Sequence, residues 1–283
     1  NMFIDQPLSG TAGAASALLS TGKMRNRGVE FNVSGDVIQT RDFNWNIGVN
    51  AAYNKNVILR VTDITDELPD GDARIIRVGL PYGTYYAPRW AGVDPTNGDA
   101  LYYNRDESIT NTYNEEQQSV ALRVNLFPKF TGGITTAFRW KDISMSALFS
   151  FVSDVSRWNN IDFYNENERY MTSNQSKRML YDRWKKPGDE TTLQRIDVPR
   201  NFTSKDIQNA SFMRLRNLKI NYNIPVASLF SKSIFKSIVV FAQGENLVTW
   251  TKWRGLDPEN SRQYGRFEYP NARKYTAGIN INF

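Results

Sequence analysis

The chain has neither cysteine nor histidine among its 283 residues. Without cysteine it can form no disulfide and present no thiolate, and without histidine it lacks the commonest general base and metal ligand. It also lacks a G-x-S-x-G nucleophile motif. No spacing of its Asp and Glu residues singles out one acid and one base. We therefore predict that the protein is not an enzyme, with no catalytic residue and no cofactor.

Two further absences narrow the class of protein. No apolar run reaches the roughly 18 residues that a membrane-spanning helix requires. The net charge is +6, but the basic residues are scattered without a Lys/Arg block, which argues against a nucleic-acid partner. The mean hydropathy, −0.53, is polar. That average still permits a membrane β-barrel, because half of each strand in such a barrel faces a wet lumen.

What the sequence does contain is strict alternation at its end. Residues 273–283 place apolar side chains at every second position and polar ones between them, and the apolar face consists of Tyr275, Ala277, Ile279, Ile281 and Phe283. A period of two predicts a β-strand with two unlike faces. Because a final strand that closes on an aromatic residue is typical of outer-membrane barrels, the same pattern should recur upstream.

The alternation recurs in six earlier segments, namely residues 28–37, 43–54, 131–140, 143–152, 211–224 and 237–248. We predict a bulge near 213–215, a short additional strand over 120–126 and a loop over 1–27. The fold class is then all-β, a transmembrane antiparallel β-barrel of which the chain holds about seven or more strands. A closed bacterial barrel has an even number of at least eight strands and no open edge in lipid, so we expect further strands upstream of Asn1.

The lengths of the connections predict an orientation. Short connections alternate with long ones along the chain: 38–42, 141–142 and 225–236 are short, and 55–119, 153–210 and 249–271 are long. Transmembrane barrels have short periplasmic turns and long extracellular loops. Four aromatic residues then fall near the periplasmic rim and predict an aromatic girdle there, namely Trp45, Trp140, Phe235 and Phe283.

Short motifs spread along the chain carry a family resemblance. They are 26–30 (NRGVE), 79–83 (GLPYG), 92–95 (GVDP), 128–133 (PKFTGG), 183–184 (RW), 186–189 (KPGD), 210–218 (ASFMRLRNL), 244–247 (GENL), 255–259 (GLDPE) and 269–273 (YPNAR). In this order and spacing they resemble the C-terminal part of a SusC/RagA-family TonB-dependent outer-membrane transporter of the Bacteroidota. Each motif alone is unspecific, and the specificity comes from the whole set.

The resemblance implies more than the residues themselves do. It implies a barrel of about 22 strands, with an N-terminal plug and a TonB box that both lie outside this chain. It implies a SusD-like surface lipoprotein that caps the barrel and a dimer of such transporter–lipoprotein units. It also implies import of oligosaccharides or peptides, powered through TonB.

Six aromatic residues in the long connections are candidates for contact with substrate or partner: Tyr82, Tyr85, Tyr86, Trp90, Trp158 and Trp184. Aromatic side chains supply large, rigid contact areas at low entropic cost. The alternative is that these residues pack within the loops or against a partner lipoprotein. The excess of Lys and Arg has two interpretations as well, contact with lipopolysaccharide phosphates or ordinary surface charge.

Two acidic segments are candidate calcium sites, since Ca²⁺ takes oxygen ligands. One is the acidic run at 63–72, and the other contains Asp94 and Asp99 around an Asn-Gly turn. Neither spacing matches a standard calcium loop. Because charge clusters are usually solvated and Asn-Gly and Asp-Pro are turn formers, we predict no metal site.

Three other functions compete with active import. A passive porin would have neither plug nor TonB box. A barrel enzyme would need a catalytic cluster at the rim, and the sequence offers none. A soluble β-sandwich adhesin would bury the apolar face that we assign to lipid, and it would not require short connections to alternate with long ones.

Overall fold

The computed structural model describes residues 2–62, 65–226, 234–259, 264–265 and 267–283. Most of the chain is β-strand. In chain order the strands are β1 (Met2–Pro7), β2 (Ser16–Gln39), β3 (Phe43–Arg60), β4 (Glu67–Pro69), β5 (Arg74–Arg77), β6 (Thr84–Val93), β7 (Ala100–Tyr103), β8 (Ile109–Thr110), β9 (Ser119–Asn125), β10 (Phe130–Trp140), β11 (Ile143–Ser153), β12 (Ser156–Asn159), β13 (Ile207–Asn209), β14 (Phe212–Ile224), β15 (Ser237–Thr251), β16 (Tyr264–Gly265) and β17 (Lys274–Asn282).

Eight of these strands form one antiparallel sheet in the order β1-β2-β3-β10-β11-β14-β15-β17. Every neighbour in the sheet is the next long strand along the chain, so the sheet is a simple meander. All seven predicted strands are present in it, and most extend further than the alternation predicted. β2 and β3 are the longest, with 24 and 18 residues.

Of three local predictions, the loop over 1–27 is wrong, the extra strand over 120–126 is confirmed, and the bulge lies one residue beyond its predicted range. Residues 1–27 are not a loop, because β1 pairs with residues 16–22 of β2 and the two form a hairpin. The small polar side chains of this segment carry no alternation, so its strand structure depends on pairing with neighbours. The strand predicted over 120–126 exists as β9, but it pairs with β6 outside the eight-stranded sheet. The bulge lies at Arg216, where the register of β14 shifts against both neighbours.

The register places the predicted apolar side chains on one face of the sheet. Ile279 on β17 lies opposite Val240 on β15, which lies opposite Tyr222 on β14. Tyr222 lies opposite Ile143 of β11. The face stays exposed, with 61% of Ile279 accessible. A continuous apolar face that nothing in the described chain covers needs an apolar solvent, as the wall of a membrane barrel does.

The opposite face is polar and is linked across strands by side-chain hydrogen bonds. The Asn221 carboxamide donates to Ser144 Oγ (3.0 Å), and the Asn282 carboxamide donates to Ser237 Oγ (2.7 Å). Asn46 donates to Asp36 Oδ1 in the same way (3.0 Å). These contacts give the sheet the hydrated face that a barrel lumen requires.

Short turns lie at one edge of the sheet. Residues 40–42 join β2 to β3, and residues 141–142 join β10 to β11. The third short connection lies partly outside the described residues, which exclude 227–233. At this edge Trp45 stacks on Phe138 (5.6 Å between ring centroids), and Trp140 ends β10.

The end of the chain also lies at this edge. The Phe235 and Phe283 rings lie 5.6 Å apart. The proposal that these two residues form a membrane girdle with Trp45 and Trp140 stays a prediction.

The long connections lie at the other edge and contain small sheets and short helices. The α-helices are α1 (Glu115–Gln118), α2 (Asn160–Asn165) and α3 (Arg178–Tyr181), and the 3-10 helices are Glu168–Tyr170 and Ser204–Asp206. Strands β4 to β9 belong to the first connection and β12 and β13 to the second. Among the residues described, none of the helices has the length and apolarity to cross a membrane.

Candidate functional site

The three long connections pack together into one layer, which we call the loop layer. Its largest hydrophobic cluster joins the first and second connections, and it consists of Ala73, Tyr85, Ala87, Leu126 and Ile207 with Leu122, Trp158 and Phe202 against it. β12 of the second connection pairs with β16 of the third. The loops are therefore a folded structure with a core of its own.

Tyr85 lies at the centre of this layer and is 0% exposed. Its hydroxyl donates a hydrogen bond to the Ser156 carbonyl (3.2 Å), which joins the first connection to the second. Burial raises the pKa of Tyr85, so the hydroxyl remains protonated and can donate. The residue is thus a core residue of the loop layer, which favours packing within the loops over contact with substrate or partner.

Replacing Tyr85 by phenylalanine should weaken the layer without emptying its core. The change removes the buried hydrogen bond to the Ser156 carbonyl, at an expected cost of about 1 kcal/mol. Hydrogen exchange of the backbone amides at 155–159 should speed up by about fivefold, while exchange in β17 stays unchanged. An unchanged rate at 155–159 would contradict this role for the hydroxyl.

Trp158 packs inside the same layer. Its ring lies 4.1 Å from that of Phe202, 4.8 Å from that of Tyr264 and 6.2 Å from that of Phe163, measured between centroids. Tyr264 belongs to the third connection, and its hydroxyl donates to Asp72 in the first. The ring of Trp158 therefore helps to hold all three connections together, as the packing alternative predicted.

The other four aromatic candidates are half-buried and lie apart. Tyr82 stacks on Phe127 with centroids 5.7 Å apart. Tyr86 accepts a hydrogen bond from Arg105 (3.1 Å). The Lys205 ammonium lies 4.7 Å from the Trp90 ring, and the Trp184 indole donates to the Pro95 carbonyl (3.1 Å). Contact of these four residues with substrate or partner stays a prediction.

Two residues of the acidic run in the first connection form ion pairs with neighbouring arginines. Asp70 forms an ion pair with Arg74 (3.2 Å), and Glu67 forms one with Arg77 (2.5 Å). Asp63 lies outside the described residues. In the part of the chain that the structure covers, no group of three or more acidic side chains is placed to hold a metal ion. These pairings favour a solvated, ion-paired loop over a calcium site.

Asp94 and Asp99 form a turn, as the turn alternative predicted. Asp94 Oδ1 accepts hydrogen bonds from the Thr96 amide (2.8 Å) and hydroxyl (2.6 Å), and these bonds lower the pKa of Asp94. Asp99 accepts from the Arg195 guanidinium (3.2 Å) and from Asn111 (2.9 Å). The Arg195 charge already compensates the Asp99 carboxylate, and these contacts favour the turn over a calcium site.

Sequence reasoning missed an ionic cluster where the wall meets the third connection. The Arg214 guanidinium donates to Asp257 (2.6 Å), to Glu259 (2.8 Å) and to the Thr249 hydroxyl (2.9 Å). Arg216 also donates to Glu259. We call Arg214, Arg216, Asp257 and Glu259 the junction cluster.

The bulge explains how both arginines reach the cluster. In a regular strand, 214 and 216 would lie on the face opposite 215 and 217. Because Arg216 is the extra residue, Arg214 and Asn217 both keep to the polar face, and Leu215 and Leu218 both keep to the apolar face. Arg216 donates to Ser150 Oγ on the polar side (2.7 Å). The signal available in the sequence was the interrupted alternation of the motif at 210–218.

Asn271 links the junction cluster to the last strand through hydrogen bonds. Its backbone amide donates to Asp257 (2.9 Å), and its carboxamide donates to Glu259 (2.7 Å). Asn246 on β15 donates to the Ala272 carbonyl (3.1 Å). The motifs at 210–218, 244–247, 255–259 and 269–273 therefore meet at one place.

A second missed network lies inside the second connection. The buried Arg200 guanidinium donates to Asp206 (2.6 Å) and pairs with Glu166 (3.5 Å), which also pairs with Arg178. Burial, and then the nearby Asp162 charge, raise the pKa of Glu166 against the opposing arginines. The polarity of this segment gave no sign that these charges would be buried. The network joins segments of the second connection that are up to 40 residues apart in sequence, from Glu166 to Asp206.

Comparison with known proteins agrees with this architecture. No protein-family model matches the chain. The chain is 26% identical over 323 residues to "TonB-dependent receptor P3" of Formosa agariphila, covering 100% of the chain and 31% of that protein. It is 23% identical over 296 residues to "TonB-dependent receptor SusC" of Bacteroides thetaiotaomicron, covering 97% of the chain and 28% of that protein.

A solved structure matches over the whole chain. The structure of the RagAB peptide importer in its 'open-open' state superposes with a TM-score of 0.89 and 29% identity, covering 100% of this chain and 31% of the matched chain. The chain thus spans about a third of the length of the relatives that it matches. These relatives are named as receptors and importers, in agreement with the prediction that the protein is not an enzyme.

Proposed function

Because the chain belongs to the SusC/RagA family of TonB-dependent outer-membrane receptors, we propose that it supplies barrel wall and extracellular loops for active import. The eight-stranded sheet is a section of an outer-membrane β-barrel. One observation carries the proposal: the pairing of seven strands places apolar side chains on one face of the sheet and polar side chains on the other. A wall of this kind separates lipid from a hydrated passage.

We propose that the chain forms the C-terminal part of a barrel of about 22 strands, with the plug and TonB box elsewhere in the whole protein. The outer strands β1 and β17, each paired on one side only within the described residues, would then pair with other strands of that barrel. This arrangement leaves no unsatisfied edge in lipid.

The loop layer is the proposed receptor surface. Its hydrophobic core and buried ion pairs give it a fixed shape before any partner arrives. A preformed surface loses little entropy on binding. We propose that a SusD-like surface lipoprotein closes over it and that the units assemble in pairs. The basic residues of the outer rim would face lipopolysaccharide phosphates, and Trp45, Trp140, Phe235 and Phe283 would form the girdle at the periplasmic rim.

The substrates that we propose are oligosaccharides or peptides, delivered with energy from TonB. One matched structure is named as a peptide importer and one relative is SusC. The whole receptor tests this proposal in cells that take up a labelled mixture of peptides and maltooligosaccharides. Uptake of one substrate class should stop when TonB is deleted and return when it is restored. Uptake that continues without TonB would favour a passive porin and contradict the proposal.

A further inference from the structure

A cavity of about 260 Å³ opens beside the β2–β3 hairpin, at the end where the first connection leaves and returns. Its wall is largely apolar and consists of Met24, Pro81, Tyr82, Phe127 and Pro128. Asn26, Asn54, Asn56 and Asn125 add carboxamides, and Lys55 and Lys129 complete the lining. We call this space the Tyr82 cavity.

Hydrogen bonds fix the aromatic wall of the cavity in place. The Tyr82 amide donates to Asn56 Oδ1 (2.6 Å), and the Tyr82 carbonyl accepts from the Asn125 carboxamide (3.0 Å). Asn125 Oδ1 accepts from the Phe127 amide (2.7 Å). Gly83 permits the close approach, because it has φ +87° and a Cβ there would lie 2.6 Å from the Phe127 ring. The wall is therefore built before a ligand binds.

Two carboxamides at the cavity stay unused. Within the described residues, neither the side chain of Asn26 nor that of Asn54 has a hydrogen-bond partner, and both are exposed. Each offers one acceptor and two donor hydrogens. Asn26 lies opposite Asn56, and Asn54 lies opposite Gly28, so the two free side chains are diagonal neighbours on the polar face.

The spacing of these two groups matches an extended peptide. Diagonal neighbours in an antiparallel pair are separated by about 7–8 Å. In an extended chain, groups on one side repeat every two residues, at about 6.6–6.8 Å. A carboxamide can bond both the N–H and the C=O of a peptide backbone. Two of them at this spacing can hold alternate residues of one strand-like segment.

We infer that the Tyr82 cavity takes one apolar side chain of an extended, uncharged peptide whose backbone bonds Asn26 and Asn54. This inference rests on the proposed import function and assigns peptide as its substrate class. The described residues that line the cavity include no acidic side chain. Of the two lysines, Lys129 already pairs with Asp154 (2.6 Å). Lys55 is exposed, so its ammonium can remain in water and does not require a charged ligand group.

A sugar ring fits this cavity less well than an apolar side chain. A sugar carries hydroxyl groups around its edge, and each buried hydroxyl needs a partner. Asn125 is bonded to backbone groups through both its oxygen and its nitrogen, and Asn56 through its oxygen, so of the four carboxamides only Asn26, Asn54 and the Asn56 nitrogen remain for the many hydroxyls of a sugar. The volume also lies below the roughly 300–1,000 Å³ of sites for whole small molecules. The space suits one group of a longer ligand.

The test uses the whole receptor in detergent and an equimolar mixture of capped, uncharged peptides that differ only at the central residue: Leu, Phe, Pro or Ser. Maltoheptaose is added to the same mixture, and retained ligands are identified by mass spectrometry. We expect the Leu, Phe and Pro peptides to be retained about tenfold over the Ser peptide. Maltoheptaose should not be retained. Equal retention of all peptides, or selective retention of maltoheptaose, would overturn the inference.

Two variants and one control locate the effect at the cavity. Asn54→Trp should block the mouth and reduce retention of the apolar peptides about tenfold. Asn32→Trp, on the same face of the hairpin but on β2 and further from the cavity, should not. The double variant Asn26→Ala and Asn54→Ala should weaken the binding of all peptides and preserve their order of retention. Unchanged retention by Asn54→Trp would overturn the assignment.

The retention test and the uptake test in cells together distinguish failure of this inference from failure of the proposed import function. If Asn54→Trp behaves like wild type and uptake still depends on TonB, the cavity inference fails and the import function stands. If wild-type uptake is independent of TonB, the import function itself fails. Migration of unheated receptor on gels confirms that each variant has folded.

Discussion

Replacing Ile279 by arginine should destabilise the barrel by roughly 2–4 kcal/mol, the cost of an arginine on the lipid face near the bilayer midplane. Ile279 lies in the middle of β17, 61% exposed, opposite Val240 of the neighbouring strand. Every side chain around it on this face is apolar or aromatic, so the guanidinium finds no partner short of the membrane interface. The folded fraction in outer membranes should fall sharply.

Asn280 provides a matched control one residue away. It lies on the polar face of the same strand, opposite Val239. Asn280→Arg should assemble nearly as well as wild type, because its side chain points into the hydrated lumen. Comparing folded bands of the two receptors on unheated gels measures the difference. Equal folding yields for the two variants would contradict the assignment of faces, since a one-residue step changes the face of every side chain.

Replacing Arg214 by alanine should release the third connection from the wall. Arg214 is only 3% exposed and forms charged hydrogen bonds to both Asp257 and Glu259. Removing one partner of a buried ionic cluster leaves uncompensated charge and costs roughly 3–5 kcal/mol. Since about 1.4 kcal/mol changes an equilibrium tenfold, backbone exchange around 255–259 should speed up at least a hundredfold.

Lys252→Ala tests whether this effect is specific to the cluster. Lys252 is exposed and begins the same connection, so its removal should leave exchange unchanged.

The junction cluster also predicts that the third connection is sensitive to acid. Burial alone would raise the pKa of Asp257, but hydrogen bonds from Arg214 and from backbone amides lower it overall. Protection of the backbone amides around 255–259 from exchange should therefore be complete above pH of about 4 and should decline as pH falls below that value. Protection that persists in Arg214→Ala would contradict the role of the cluster.

The sequence predicted the wall well because alternation is a local property. Each of the seven predicted strands carries its own apolar and polar faces, and the paired register confirms them. The hairpin of β1 with the start of β2 was missed since its small polar residues have no such pattern. Long-range pairing makes that segment a strand. The bulge at Arg216 was found one residue from its predicted range because a broken alternation locates a shift only approximately.

The loop layer was much harder to predict. Tyr85 and Trp158 were identified as important aromatics, but composition cannot distinguish a packed ring from an exposed one. That distinction depends on contacts between connections far apart in sequence, such as Tyr85 with Ser156 and Trp158 with Tyr264. The ionic network around Arg200 could not be predicted from the sequence for the same reason. Charges in a polar segment look solvated until the fold buries them together.

The most direct test of this account is the mass of the native protein and its companions after detergent extraction of outer membranes. This chain has a mass of 32.5 kDa and spans 31% of a matched receptor. We expect a polypeptide about three times heavier, held to a surface lipoprotein and reacting with an antibody against the loop layer. A polypeptide of 32.5 kDa that travels alone, or one recovered without detergent, would contradict the assignment of this chain to a plugged and capped importer.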